Sequence, residues 1–335
     1  MLKSLNEIDL VLSQITFLSV KEKDILRKNL DSLTEVGLLS IEDIEKLVGR
    51  TVKTAVWDGK TALAMAQKCA FLLENYSISC IRHDDKAYPA LLREVFNPPY
   101  MLFYRGKWSV LSNLCVSVVG TRNLCRQCAV DAFDFAKDAA RDGMTVISGL
   151  ASGSDAFAHR GALVSLEKGF GATAAVLPCG MDTVTPHSHT GLAKRILNAG
   201  GLLLSEYPPG VFPEPWRYVQ RNRIIAGLSP ATLVVQAPPG SGALITADFA
   251  LENNRDLFFF KSAFCQDAKK MNLVAEKKLK ASKKANLEAK LFNVCERYVA
   301  DGALVIENYN EYLLARALAP GKCLCKYKGG QLDLF

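Results

Sequence analysis

From Cys115 to Phe260 short apolar runs alternate with helical stretches, and no other feature of the chain constrains its fold as strongly. The runs are CVSVVG, MTVIS, TAAVLP, GLLLSE, ATLVVQA and DLFFF. Between most of them lie RQCAVDAFDFAKDAARDG, DAFAHRGALVSLEKG, HTGLAKRILNAGG, RNRIIAGLS and SGALITADFALENN. Strands with no polar alternation are buried on both faces, and a strand–helix repeat covers both faces of one sheet with helices. The pattern therefore predicts an α/β fold, a doubly wound and mostly parallel sheet. Ligands of such sheets bind outside the carboxyl ends of the strands, so the loops after the strands are the place to look for function.

Around this core the pattern changes. Residues 1–75 carry apolar residues at helical spacing, as in LNEIDLVLSQI and IEDIEKLV, and predict a small helical domain. In YPALLREVFNPPYMLFYRG, Pro89, Pro98 and Pro99 interrupt regular structure, so this stretch is expected to be a linker or cap. Residues 266–293 contain no glycine or proline and are expected to form one lysine-rich helix, after which ERYVADGALVIENYNEYLL predicts a loop, a strand and a closing helix.

Composition narrows the function classes. Of 335 residues, 49% are hydrophobic and 22% charged, enough apolar surface for a sizeable core. No apolar run approaches the ~20 residues of a membrane span, and the opening MLKSLNEIDL places charges where a signal peptide is apolar. A cytoplasmic location and reduced thiols are therefore expected. The ten cysteines include a CxxC at Cys125 and Cys128 and a CxC at Cys323 and Cys325, pairs too far apart in sequence to predict a zinc site. The net charge of +7 is local: residues 1–80 carry −1, whereas 266–293 carry eight lysines against three acids. Such an excess suits an anionic partner, although a solvated lysine face is the commoner use of one such run.

Four of the loops share a design. VVGTRNLC sets Gly120, Thr121 and Arg122 just before a helix, where backbone amides and a guanidinium suit a phosphate. SGLASGSDAFAH follows the second run, with Asp155 placed to cap the next helix and His159 one turn on, where packing suits it better than base chemistry. PCGMDTVTPHSHTG exposes His187 and His189, and PPGSGALITADFA brings Ser241 and Gly242 before another helix. None of these is GxGxxG or a Walker loop, and no serine or carboxylate has an evident catalytic partner. A fifth segment, RNRIIAGLSP, combines Arg221, Asn222 and Arg223 with a core-like apolar run. A short helix resolves the conflict if Ile224, Ile225 and Leu228 pack while its amino end projects the arginines. Two residues apart on a helix point about 200° apart, so one arginine is expected to meet an anion and the other to be free for a structural ion pair.

VVGTRNLC, VISGLASGSDAFAHRGAL, AAVLPCGMDTVTP, GGLLLSEYPPG, YVQRNRIIAGLSPATLVVQAPPGSGALITADFA and YVADGALVIENYNEYL resemble, in order, the blocks of the DNA-processing DprA/Smf family. The likeness spans roughly residues 88–307. It implies an extended Rossmann-like domain at 111–317, a helical domain of SAM-like or helix-hairpin-helix-like kind at 1–80, a linker or cap at 81–110, a lysine-rich insertion at 266–293 and a tail at 318–335. It also implies a homodimer that binds single-stranded DNA without cutting it, protects incoming strands during natural transformation and helps load the RecA recombinase. No catalytic residue, cofactor or metal comes with that expectation.

Carried over residue by residue, the DNA site comprises Gly120, Thr121, Arg122, Ser148, Gly149, Gly153, His187, Ser241 and Gly242, bordered by Arg221, Asn222 and Arg223. The chain departs from the family pattern at Cys125, where serine is usual, at Thr185 and His187, and at Tyr218-Val219, which stand for Phe-Pro. Lys261-Ser262 replace a Pro-Gly, and no winged-helix module, hence no second DNA reader, is expected after the closing helix. The rival reading is a nucleotide-binding enzyme or sensor of the same superfamily, such as a phosphoribohydrolase. Such an enzyme carries a glutamate one turn after its glycine loop, where this chain offers only Asp248.

Overall fold

The computed structural model describes residues 7–53, 57–282 and 287–318. Cys323, Cys325 and nearly all of the expected tail lie outside them. The chain opens with five helices, α1 (Glu7–Gln14), α2 (Val20–Asn29), α3 (Leu33–Leu38), α4 (Ile41–Val48) and α5 (Gly59–Asn75). Their starts are written locally. In SVKE and SIED the serine hydroxyl takes the amide three residues on and the acid returns to the serine amide, giving capping boxes at Ser19–Glu22 and Ser40–Asp43.

The α/β pattern follows. Its strands and helices are β1 (Ser79–Arg82), α6 (Ala90–Arg93), β2 (Met101–Gly106), β3 (Cys115–Val119), α7 (Arg126–Arg141), β4 (Thr145–Ser148), α8 (Ser154–Leu166), β5 (Ala172–Val176), α9 (Thr190–Asn198), β6 (Leu202–Ser205), α10 (Pro215–Gly227), β7 (Ala231–Val234), α11 (Gly242–Glu252) and β8 (Asp256–Phe260). The chain closes with α12 (Gln266–Ala281), α13 (Leu287–Phe292), α14 (Cys295–Ala300), β9 (Leu304–Ile306) and α15 (Tyr309–Leu318).

The nine strands form one sheet in the order β1-β2-β6-β5-β4-β3-β7-β8-β9. From β6 to β9 every pairing is parallel, and only β1–β2 and β2–β6 are antiparallel. All six expected strands are present, and β3 through β7 are buried at every residue. One face packs Ile224, Ile225, Leu244 and Tyr298 over Ile147, Ala174 and Phe259. The other packs Ala132, Phe135, Ala136, Ala158 and Ala162 over Val116, Val118 and Phe260. Among the described residues no helix is long and apolar enough to cross a membrane.

Three local expectations change. The stretch 81–110 contributes β2 and the second half of β1 to the sheet, since its prolines flank the strands and do not interrupt them. The helix carrying the arginines begins at Pro215, so Arg221 and Arg223 lie in its middle and not at its amino end. The lysine-rich segment holds two helices, α12 and α13, and α12 ends at a Ser282 cap. The N-terminal helices share their core with the sheet: Ile8, Leu10, Leu26 and Leu73 join one cluster with Tyr100, Phe103 and Leu203. Asp9 of α1 accepts from the Tyr100 hydroxyl at 2.7 Å and from Arg82 at 3.1 Å, fixing the two layers together.

Candidate functional site

The strand order reverses at β3, which pairs β4 on one side and β7 on the other. Loops from both directions meet there. The Thr121 amide donates to the Gln236 carbonyl at 2.7 Å, the Cys125 amide to Gln236 Oε1 at 2.9 Å, and the Ser154 amide to the Thr121 carbonyl at 3.2 Å. These bonds knit the loops after β3, β4 and β7 into one unit from which α7, α8 and α11 start. The positive ends of three helix dipoles therefore face one region, a setting that favours an anion.

The structure brings most of the expected residues to this region but at different depths. Arg122 is exposed, its guanidinium 5.6 Å from the centre of the Tyr218 ring, and the Tyr218 hydroxyl meets Thr185 Oγ1 at 2.8 Å. Gly120, Thr121, Gly153, Asn222 and Ser241 are half-buried, and Gly242 is exposed. Asn222 donates to the Gly242 carbonyl at 3.1 Å and so joins α10 to the start of α11. Ser241 stands at the amino cap of α11, yet its buried hydroxyl has no hydrogen-bond partner. His187 is exposed, whereas His189 is buried, with Nδ1 2.8 Å from the Leu150 carbonyl.

Ser148 and Gly149 form the floor. The Ser148 hydroxyl donates to the Val118 carbonyl at 2.6 Å, and Gly149 is buried. Asp155 was expected to cap α8, but Gly153 holds the cap position, and Asp155 accepts from the amides of Gly149 and Ala151 at 3.1 and 3.2 Å. It shapes the loop before its helix. Gly153 has φ +79°, and a Cβ there would strike the Thr121 and Arg122 carbonyls, so only glycine brings the loops this close.

Arg221 and Arg223 of α10 are both inside. Arg221 is 3% exposed and donates through Nη1 to the Val176 carbonyl at 2.5 Å. It lies directly under Gly149, where a Cβ would overlap its guanidinium. Burial pushes the Asp155 carboxyl up and the Arg221 guanidinium down, and their opposite charges partly offset both shifts. Arg223 is 8% exposed and forms a two-pronged pair with Glu206 at 2.8 and 2.6 Å, plus a bond to the Asn97 carbonyl at 3.0 Å. The helix is enclosed on both flanks, so opposite directions are both interior.

Sequence reasoning missed several neighbours. Arg126, exposed at the first turn of α7, lies with Arg122, Gly153, Phe157 and Met271 of α12 around an open depression of about 680 Å³. Its place at the start of the helix after the glycine loop was the available signal. Arg217 lies 4.7 Å from the Trp216 ring and 5.3 Å from the Tyr207 ring, making a cation–aromatic stack beside half-buried Tyr218. The lysine-rich insertion also reaches the site: Gln236 Nε2 donates to Asn272 Oδ1 of α12 at 3.3 Å, and Gly240 faces Leu279 and Lys290.

General bases are poorly placed. His159 is fully buried with Nδ1 2.8 Å from Thr173 Oγ1, and burial pushes its pKa down to about 3. Asp248 accepts from the Tyr298 hydroxyl at 2.5 Å and from Asn293 at 3.2 Å.

Residues 79–313 match the family model described as DNA recombination-mediator protein A. The chain belongs to this family. The Synechocystis protein Smf is 44% identical over 179 residues, which are 52% of this chain and 44% of that protein. The chain is thus matched to less than half of that relative's length. The crystal structure of DNA processing protein A from Streptococcus pneumoniae superposes with a TM-score of 0.65 at 26% identity, covering 92% of this chain and 98% of that one. DNA processing protein A from Helicobacter pylori, described for its single-stranded DNA binding mode, gives a TM-score of 0.53 at 23% identity over 72% of this chain and 95% of that one. This second likeness extends the fold alone. The family's mostly parallel sheet is the one built here, with the loops after β3, β4 and β7 at its reversal point.

Proposed function

We propose that this chain is a non-catalytic single-stranded DNA binder and recombination mediator. The observation that carries the reading is the joining of three helix starts with exposed Arg122 and Arg126 at the reversal point of the sheet. Phosphates of a short strand lie against Thr121–Leu124, Gly153 and Ser241–Gly242, with Asn222 and His187 at the margins and Arg122 supplying the charge. Arg221 holds the floor from within, and Arg223 holds α10 through Glu206. Stacking of bases on Trp216 and Tyr218 makes the binding tolerant of sequence and needs no general base. In the wider role the protein protects incoming strands in the cytoplasm during transformation and loads RecA as a homodimer. We place self-association at the open sheet edge, where Leu304 and Val305 of β9 and Leu314 of α15 are exposed.

The rival enzyme reading finds less support. Its catalytic position is occupied by Asp248, which is held by Tyr298 and Asn293. Fluorescence anisotropy at two salt concentrations separates the two, using single-stranded DNA, duplex DNA and mononucleotides as ligands. The expected result is a preference for single strands with a steep salt dependence. Tight mononucleotide binding without preference for DNA overturns the proposal.

A further inference from the structure

Three thiols converge between the anion loops and the lysine-rich insertion. Cys125 is the amino cap of α7 and Cys265 the amino cap of α12; each sulfur accepts the amide three residues on, at 3.5 Å from Cys128 and 3.4 Å from Ala268. The two sulfurs are 3.9 Å apart. Cys128, the other half of the CxxC, donates to Ser262 Oγ at 3.4 Å, and burial pushes its thiol far above the ordinary value. Among the described residues no group of three or more His, Cys, Asp or Glu is arranged to hold a metal ion. The poised pair is thus not the CxxC but two cysteines 140 residues apart in sequence.

We propose that Cys125 and Cys265 form a reversible disulfide that locks the lysine-rich insertion to the amino end of α7 and so tunes the anion site between them. A disulfide needs sulfurs about 2.05 Å apart, so each must move by roughly 1 Å. The oxidant is a hydroperoxide. Cys265 is half-buried and Cys125 only 4% exposed, so the Cys265 thiolate meets it first. Its sulfur attacks the O–O bond, takes one oxygen as a sulfenic acid and releases the other as an alcohol, or as water from hydrogen peroxide. The Cys125 thiolate then attacks that sulfur and displaces hydroxide, which leaves as water with the proton given up by a thiol. In total, two thiols and one hydroperoxide give one disulfide, one water and one alcohol, and a dithiol reductant reverses the change.

The effect on the site follows from what the two caps adjoin. α7 carries Arg126 and follows Arg122, while α12 contributes Met271 to the same depression and Asn272 to the bond with Gln236. Joining the caps fixes one wall of the depression against the other. This regulatory half rests on the DNA-binding reading, whereas the cross-link does not.

The test treats the full chain with hydrogen peroxide or dithiothreitol and maps peptides without reduction by mass spectrometry. A Cys125–Cys265 cross-linked pair, two mass units lighter than the separate peptides, is expected in wild type and absent from Cys265→Ser. Serine is itself a favoured amino cap, so the variant retains the helix start, and its melting curve checks this. Single-stranded DNA affinity should differ at least threefold between oxidised and reduced wild type and not at all in Cys265→Ser. A stable sulfenic acid at Cys265, a Cys125–Cys128 bond in place of the cross-link, or bound zinc removable by chelation each overturns the proposal. A cross-link with unchanged affinity overturns the regulation. Failure of either redox form to bind DNA sinks the functional reading and the regulation with it, while the cross-link is judged by its mapping.

Discussion

Arg122 and Arg223 are the same residue type put to opposite uses. Arg122 is exposed beside a ring, so Arg122→Ala should weaken binding to every single-stranded sequence about equally and lower the salt slope by about one, read from anisotropy titrations. Arg223 neutralises Glu206 in a pair where both side chains are nearly enclosed, at 9% and 12% exposure. Arg223→Ala leaves that carboxylate nearly enclosed without its ion-pair partner, a loss of roughly 3–5 kcal/mol that should appear as a lower melting temperature with the salt slope unchanged. Lys23 offers a pH test. Burial lowers its pKa from 10.5 to about 8, with Glu206 raising it and Arg223 lowering it further. Below pH 8 the folded protein keeps a charge that the unfolded chain holds more easily, and between pH 8 and 10.5 the unfolded chain binds more protons. This group alone therefore makes stability rise with pH across that window, by about 3 kcal/mol. Lys23→Met should flatten that rise in melting temperatures measured from pH 7.5 to 10.

Among the elements, α12 and α13 are the ones whose role the charge pattern raises most directly. Within α12, Lys270 pairs with Asp267 and Lys280 with Glu276, and the segment lies against the Gly240 loop. Deleting 269–290, or changing Lys269, Lys270, Lys277 and Lys278 to glutamine, should flatten the salt dependence of DNA binding, and an unchanged slope would refute a phosphate-contacting role. The strands β3 to β8 were legible because apolar runs without alternation have one place to go, between two helical layers. β1 and β2 were not, because the prolines around them resemble a linker and β2, on which β1 pairs, joins the sheet through β6, a hundred residues away. The start of α10 was misplaced for a related reason. Proline is a favoured first residue of a helix, so α10 starts at Pro215, and the six residues before Arg221 are helical. The burial of Arg221 and Arg223 was hidden because their acceptors, Val176 and Asn97 carbonyls and the Glu206 carboxylate, are supplied by other parts of the chain. The glycine loops were legible from local chemistry, but the commitment of the Thr121 amide to Gln236 is a property of the assembled sheet.

For the whole molecule, the proposed self-association and the proposed strand loading are the properties to separate. Leu304→Lys with Val305→Lys charges the exposed edge of β9 and should give a monomer by sedimentation that still binds single-stranded DNA but does not load RecA. A dimer that survives these changes moves the contact elsewhere. The sheet order has one more consequence, for how the protein is made. β3 is the centre of the parallel sheet, but the strand that covers its second side, β7, is Ala231–Val234. A chain emerging from the ribosome therefore carries an open β3 edge, with Gly120–Arg122 unsupported by Gln236, until that late segment appears. An early-released fragment should expose this edge, and chaperone capture during synthesis should fall once residues beyond 236 have emerged.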